Sequence, residues 1–274
     1  WNGDRTDLAR RELPELRRLF NRLDPTRPAY HEGDSSLWSE PEQPIVSRHY
    51  GKECSGLGWW DRRQPLHCGE MALYHYSGPN NTCHLAGDRA WADFAAVDEA
   101  AALDTALIVE SGRTIGVCAF GPWNLCALQN LRPHPEIRLD YADWSVPGAK
   151  PLRVAAGASE FRFWEGGAGY VPGAGFATQA RAFRPLALID RRRRTGYRAG
   201  GRFRRELVLV NDTRAAVAGR IDVLIARDGQ VLARTSAAVA AGRGRTAAVA
   251  VDLPIPADAA PGRWTYHAAF VGAD

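Results

Sequence analysis

Segments with helical and strand-like periods alternate over residues 1–130, and then the helical period stops. Residues 131–180 are rich in Pro, Gly, Trp and Phe without clear periodicity, and residues 181–274 read as short strands separated by turns. Strands that alternate with helices imply parallel pairing through crossovers. Short alternating strands bounded by turn residues imply an antiparallel sandwich or barrel. One chain of 274 residues, long enough for about two domains, is therefore expected to carry two architectures.

Composition narrows the class. Hydrophobic residues make up 45% and charged residues 24%, which are globular values and exclude disorder as the dominant state. No apolar run approaches the roughly 18–20 residues of a bilayer span, so no membrane partner is expected. No charged n-region and apolar h-region follow Trp1, so no signal peptide is read. The net charge of +4 rests on arginine, since Lys52 and Lys150 are the only lysines. Nucleic-acid binding would be read from a clustered basic stripe. The one cluster, Arg191 to Arg194 followed by Arg198, Arg202, Arg204 and Arg205, reads as a solvated strand face or linker, and no nucleic-acid partner is expected. The five cysteines, Cys54, Cys68, Cys83, Cys118 and Cys126, are odd in number and form no C-x-x-C, which implies no disulfide framework but leaves room for one bridge. His67-Cys68 and Cys83-His84 could be drawn as zinc ligands, but adjacent strand residues point to opposite faces, so no metal and no cofactor are expected.

The first helix is marked by a cap at Thr6 or Asp7 and by Leu13, Leu16, Phe20 and Leu23 on one face, and Asp24-Pro25-Thr26-Arg27-Pro28 stops it. Short strands are expected at 28–31, ending in Glu32-Gly33-Asp34, at 44–50, at 64–70 and at 114–120. A long helix is expected from about Asp88 to Ser111. Four such strands with polar or aromatic residues at their C-terminal ends suit part of a (β/α) barrel, whose active site lies at that face. The tail offers strands at 203–210, 221–226, 231–235, 246–253 and 264–271, with turns at Asn211-Asp212 and Asp228-Gly229. That pattern fits an immunoglobulin-like sandwich one or two strands short of the usual set.

The sharpest local signal is Gln64-Pro65-Leu66-His67-Cys68-Gly69-Glu70-Met71, a carboxylate directly after a short buried strand. Tyr50 ends the preceding strand and Trp123 the following one. A carboxylate flanked by a phenol and an indole suits sugar chemistry, because the hydroxyl orients the carboxylate and the indole stacks on a pyranose face.

In order, the chain runs through a helix, Leu23-Asp24-Pro25-Thr26-Arg27-Pro28, His49-Tyr50, Pro65-Leu66-His67-Cys68-Gly69-Glu70, then Gly116-Val117 through Pro122-Trp123-Asn124, then a β-sandwich. This order resembles the C-terminal half of the catalytic barrel of glycoside hydrolase family 2, the β-galactosidase, β-glucuronidase and β-mannosidase group, with its following immunoglobulin-like domain. The resemblance covers residues 1–125 by motif and 181–274 by pattern. It implies a partial (β/α)8 TIM barrel, about strands five to eight, over 1–130. An irregular connection over 131–180 and an immunoglobulin-like β-sandwich over 181–274 follow.

By the same resemblance Glu70 matches the catalytic nucleophile and Tyr50 the tyrosine that hydrogen-bonds it. Trp123, with Asn124 beside it, matches the aromatic of the strand-eight rim. His49 lies at the end of strand six, and His31, Glu32 and Asp34 lie at the strand-five end, where the family places substrate contacts. The family's acid/base is a Glu in an Asn-Glu pair at the end of strand four; no Asn-Glu occurs here, so that group is expected upstream in the same polypeptide. The implied activity is retaining hydrolysis of a β-glycoside by two carboxylates about 5–5.5 Å apart, with a carbohydrate as the partner and the isolated chain inactive.

The alternative is a non-catalytic carbohydrate-binding or structural module, for which Trp59, Trp60, Trp91, Trp123, Trp144 and Trp164 offer stacking surface. A serine or cysteine hydrolase is disfavoured, since no G-x-S-x-G occurs and His67 is only a sequence neighbour of Cys68. Asn80 and Asn211 begin glycosylation patterns that read as chance occurrences in turns.

Overall fold

The computed structural model describes residues 6–31, 43–49, 60–71, 79–92, 94–122, 159–162, 169–192 and 194–273. They form a mixed helix-and-sheet protein of two compact units, Trp1–Gly112 with Val117–Phe183 and Arg113–Gly116 with Arg184–Asp274.

The first unit opens with α1 (Thr6–Leu23), which carries Pro14 inside it. Its buried row is Pro14 and Arg17, with Leu13 and Asn21 half-buried. Of the expected apolar face only Leu13 is half-buried: Leu16, Phe20 and Leu23 are exposed, Leu23 to 72%, as is the neighbouring Leu19. Asp24 then closes the helix by accepting from the Thr26 N–H and hydroxyl and from Arg27. Those Thr26 bonds, before the Arg27 bond, hold its carboxyl below the ordinary range.

Residues 28–31 form no strand. Pro28 has no N–H to give a ladder, and the next donors are taken by side chains: Ala29 N–H by Asn21 Oδ1 at 3.3 Å and His31 N–H by Gln43 Oε1 at 2.6 Å.

Three parallel strands follow, β1 (Val46–His49), β2 (Leu66–Met71) and β3 (Ala119–Pro122), in the order β1-β2-β3. Between β2 and β3 run α2 (Pro79–Ala86), α3 (Arg89–Ala92) and α4 (Phe94–Thr114). The buried face of α4 is built largely from alanines, including Ala96, Ala100, Ala102 and Ala106. Small side chains admit close neighbours: a Cβ on Gly175 would stand 2.4 Å from that of Ala102. The Gly175 N–H also donates to Asp98 Oδ2 at 3.0 Å. A hairpin of β4 (Ser159–Arg162) and β5 (Gly169–Pro172) and the short α5 (Phe176–Ala182) complete the unit. Among the described residues no helix is long and apolar enough to cross a membrane.

The second unit is antiparallel throughout its two three-stranded sheets. It contains β6 (Leu186–Asp190), β7 (Arg202–Asn211), β8 (Val217–Arg227), β9 (Gln230–Ala241), β10 (Arg245–Pro254) and β11 (Thr265–Gly272). The sheet orders are β10-β7-β6 and β11-β8-β9. Phe203, Leu207, Leu209, Ile221, Val223 and Ile225 centre its core, as alternation along β7 and β8 directs. The β8–β9 hairpin closes on Asp228-Gly229, both at positive φ (49° and 79°), the two-residue turn whose twist matches that of the strands.

Asn211 pins the end of β7. Fully buried, it donates through Nδ2 to the carbonyls of Ala215, Ala241 and Gly242 at 2.8, 3.0 and 3.1 Å. Its Oδ1 accepts from the Thr213 N–H and hydroxyl. That amide has no room for a glycan in the folded chain, which settles the Asn211 pattern as structural.

Two outcomes follow from this unit. Asn211→Ala removes the donor to three carbonyls, that of the buried Ala241 among them, and should lower the unfolding free energy by about 1–3 kcal/mol in a urea titration. Tyr266 is the second: burial first, and the neighbouring Asp190 carboxylate next, push its phenol up to about 12. The folded state therefore keeps this proton after the unfolded state has lost it. The stability this contributes is full below the ordinary phenol pKa of about 10 and is lost as pH rises towards 12. An alkaline absorbance titration should show one late-ionising tyrosine, absent in Tyr266→Phe.

Candidate active site

Parallel pairing brings the C-terminal ends of β1, β2 and β3 to one edge of the sheet. β1 stops at His49, β2 passes through Glu70 to Met71, and β3 stops at Pro122. The register runs Val46 to Leu66, Ser47 to His67 and Arg48 to Cys68, then shifts so that His49 lies beside Glu70. On the other side the register shifts between Cys68 and Met71, and Met71 pairs with Pro122. Gly69 is thus the extra residue of a bulge. Paired residues in a parallel ladder share a face, so the register places Glu70 on the face of Ser47 and His67.

The bulge needs a glycine on the facing strand. Gly121 lies so close to β2 that a Cβ there would stand 2.2 Å from the Gly69 carbonyl oxygen. Leu66, Cys68 and Met71 are buried, while His67, Gly69 and Glu70 are half-buried. Cys68 is disulfide-bonded, which fills the room left for one bridge, and Cys83 and Cys118 are outside any disulfide.

A second pair stands on the same face. Tyr30 Oη lies 3.0 Å from His67 Nδ1, and the two rings meet edge to face at 5.9 Å and 82°. The phenol donates if Nδ1 is bare and accepts if Nδ1 carries the proton. His31, one residue on, is buried, with its backbone tied to Gln43.

Of the residues singled out in the sequence, Glu70 and His49 are brought side by side in the ladder, with His49 placed by its backbone. His31 sits next to Tyr30 and thus one residue from the His67 contact. Glu32, Asp34, Tyr50, Trp123 and Asn124 lie outside the described residues. The Tyr30–His67 pair is new. His67 stood inside the quoted motif and Tyr30 inside the expected strand at 28–31, but only the fold joins them across the chain. Among the described residues no three of His, Cys, Asp and Glu gather as a metal would require.

No protein-family model matches the sequence, and no curated protein matches it. Among solved structures, two of the exo-chitosanase CsxA from Amycolatopsis orientalis are similar, one of them a complex with PNP-β-D-glucosamine. Each shares 11% identity, with TM-scores of 0.33 and 0.34, and covers 67% of this chain and 20% of its own. The chain thus spans about a fifth of the length of those proteins.

Gly121→Ala is expected to push β3 off β2 and to lower the unfolding free energy by about 1–3 kcal/mol, the usual cost of overpacking. Denaturant unfolding of the whole chain reads this directly.

Proposed function

We propose that the first unit belongs to the catalytic domain of a retaining β-glycosidase and contributes the later strands of a family 2-type (β/α)8 barrel. Glu70 serves as the nucleophile. The observation that supports the reading best is the position of Glu70: near the C-terminal end of the central parallel strand, in register with His49. That is the edge at which barrel enzymes keep their chemistry.

In this reading the Glu70 carboxylate attacks the anomeric carbon while the glycosidic C–O bond breaks and the leaving oxygen takes a proton from a general acid. Water then attacks the same carbon, gives its proton to the resulting base, and releases Glu70 from the ester. The acid/base comes from a strand that precedes α1 in the same polypeptide. Tyr50 orients Glu70, Trp123 stacks on the sugar, and His49, Asn124, His31, Glu32 and Asp34 supply further sugar contacts.

The test bypasses the acid. A 2-deoxy-2-fluoro-β-glycoside with a dinitrophenolate leaving group needs no proton to depart, and its fluorine slows release of the covalent intermediate. Incubated as gluco, galacto and manno forms with the chain, it should add one glycosyl mass to the peptide containing Glu70, and Glu70→Gln should abolish the label. In the parent polypeptide the same change should cut aryl β-glycoside turnover by roughly four orders of magnitude. A label on another residue, no label from any of the three sugars, or turnover that survives Glu70→Gln would overturn the assignment.

A further inference from the structure

The second unit holds a concentration of positive charge that the first unit's chemistry does not use. Arg192, Arg194, Arg198, Arg202 and Arg204 line a groove of about 440 Å³ together with Tyr197. Arg202 and Arg204 come from the outward positions of β7, and the others from the segment joining β6 to β7. One carboxylate serves two of the five: Asp252 lies 2.5 Å from Arg202 Nε and 3.4 Å from Arg204 Nε. Arg194 Nε donates only to the Gly196 carbonyl. Among the described residues the side chains of Arg192 and Arg198 make neither a hydrogen bond nor an ion pair. Three guanidinium groups in one concavity therefore have no described counter-charge.

Tyr197 and Arg198 also line a second cavity, of about 870 Å³, whose walls include Phe203, Trp264 and Tyr266. Its rings are fixed by a buried cation. Arg205, 8% exposed, pairs with Asp190 at 2.9 Å and gives a hydrogen bond to the Tyr197 hydroxyl. Its guanidinium lies 4.6 Å from the Phe203 ring centre, 5.2 Å from Tyr266 and 5.4 Å from Tyr197. Trp264 is held by its indole N–H to the Ala260 carbonyl and by Arg227 over its ring at 4.5 Å. The Tyr266 hydroxyl is buried without a hydrogen-bond partner.

Guanidinium forks match the geometry of carboxylate and sulfate oxygens, and fixed aromatic walls suit the C–H face of a sugar ring. We propose that this end of the sandwich binds an acidic saccharide, with the oxyanion in the arginine groove and the ring in the adjoining aromatic cavity beside Tyr197. A uronate carboxylate and a sugar sulfate share that chemistry. A polynucleotide fits less well, because the arginines surround a hollow instead of forming the stripe that tracks a phosphate backbone.

Isothermal titration of the 274-residue chain tests this with four probes: oligogalacturonate, a sulfated galacto-oligosaccharide, a neutral galacto-oligosaccharide and oligo(dT). Binding is expected for at least one acidic saccharide and not for the neutral one, and which acid binds identifies the oxyanion. Arg194→Ala with Arg198→Ala should weaken it by roughly tenfold or more, and Trp264→Ala by a similar factor. Arg214→Ala with Arg243→Ala removes the same charge from exposed positions elsewhere and should leave binding unchanged. All these arginines are exposed, and circular dichroism confirms folding of each variant. Absence of binding to both acids, oligo(dT) bound as tightly as either, equal loss in the two arginine pairs, or an unaffected Trp264→Ala would overturn the proposal. None of these outcomes depends on Glu70.

Discussion

Parallel pairing of β1, β2 and β3 is the constraint from which the first unit follows. Parallel neighbours cannot be joined by a tight turn, so each step across the sheet needs a long connection. Between β2 and β3 that connection is helical, and its long element, α4, buries mostly alanine. Alanine contributes little apolar area but lets backbones approach, as Gly175 against Ala102 illustrates. The same pairing sends every strand's C-terminal end to one edge. A site assembled there draws single residues from separate strands, and the ladder, not a loop, fixes their spacing.

The second unit obeys different rules. Antiparallel strands join by short turns, and inward positions alternate with outward ones. Two polar side chains that enter this interior are held there by several partners each. Asn211 satisfies three carbonyls and the next turn from one side chain. Arg205 occupies an inward position on β7 because Asp190, the Arg192 carbonyl and the Tyr197 hydroxyl share its charge. Three aromatic rings around it replace the water it has lost.

The legible parts of the sequence were those in which local chemistry and fold agree. The Asp24 stop and the Asp228-Gly229 turn are local devices, and each stands where its residues indicate. Strand β9 runs to Ala241, although the residues after Thr235 are mostly alanine, a weak strand former; pairing with β8 along its whole length overrides the propensity. The strand expected from 114 begins at Ala119, because α4 runs to Thr114 and ends on Gly116 at φ 93°. Helix α2 opens on Pro79-Asn80-Asn81, a turn-like triplet whose proline also suits a first helical turn. β6 was missed because five residues give too few alternations to stand out. The arginine run was half legible: Arg202 and Arg204 do lie on an exposed strand face, but their convergence with the preceding segment is tertiary.

At the candidate site, the carboxylate could be read from the motif but its direction could not. Strand alternation alone assigns residue 70 to the face of Leu66 and Cys68, both buried, where an ionised carboxylate would stand among apolar side chains. One extra residue reverses that parity. Gly69 takes the position without a side chain of its own, Gly121 leaves room for its carbonyl, and Glu70 turns to the half-buried face of His67. Bulges beside active sites commonly re-aim a side chain in this way. The requirement falls on Gly121, which leaves room for the Gly69 carbonyl, and a regular strand of the same residues would turn Glu70 towards the buried side chains.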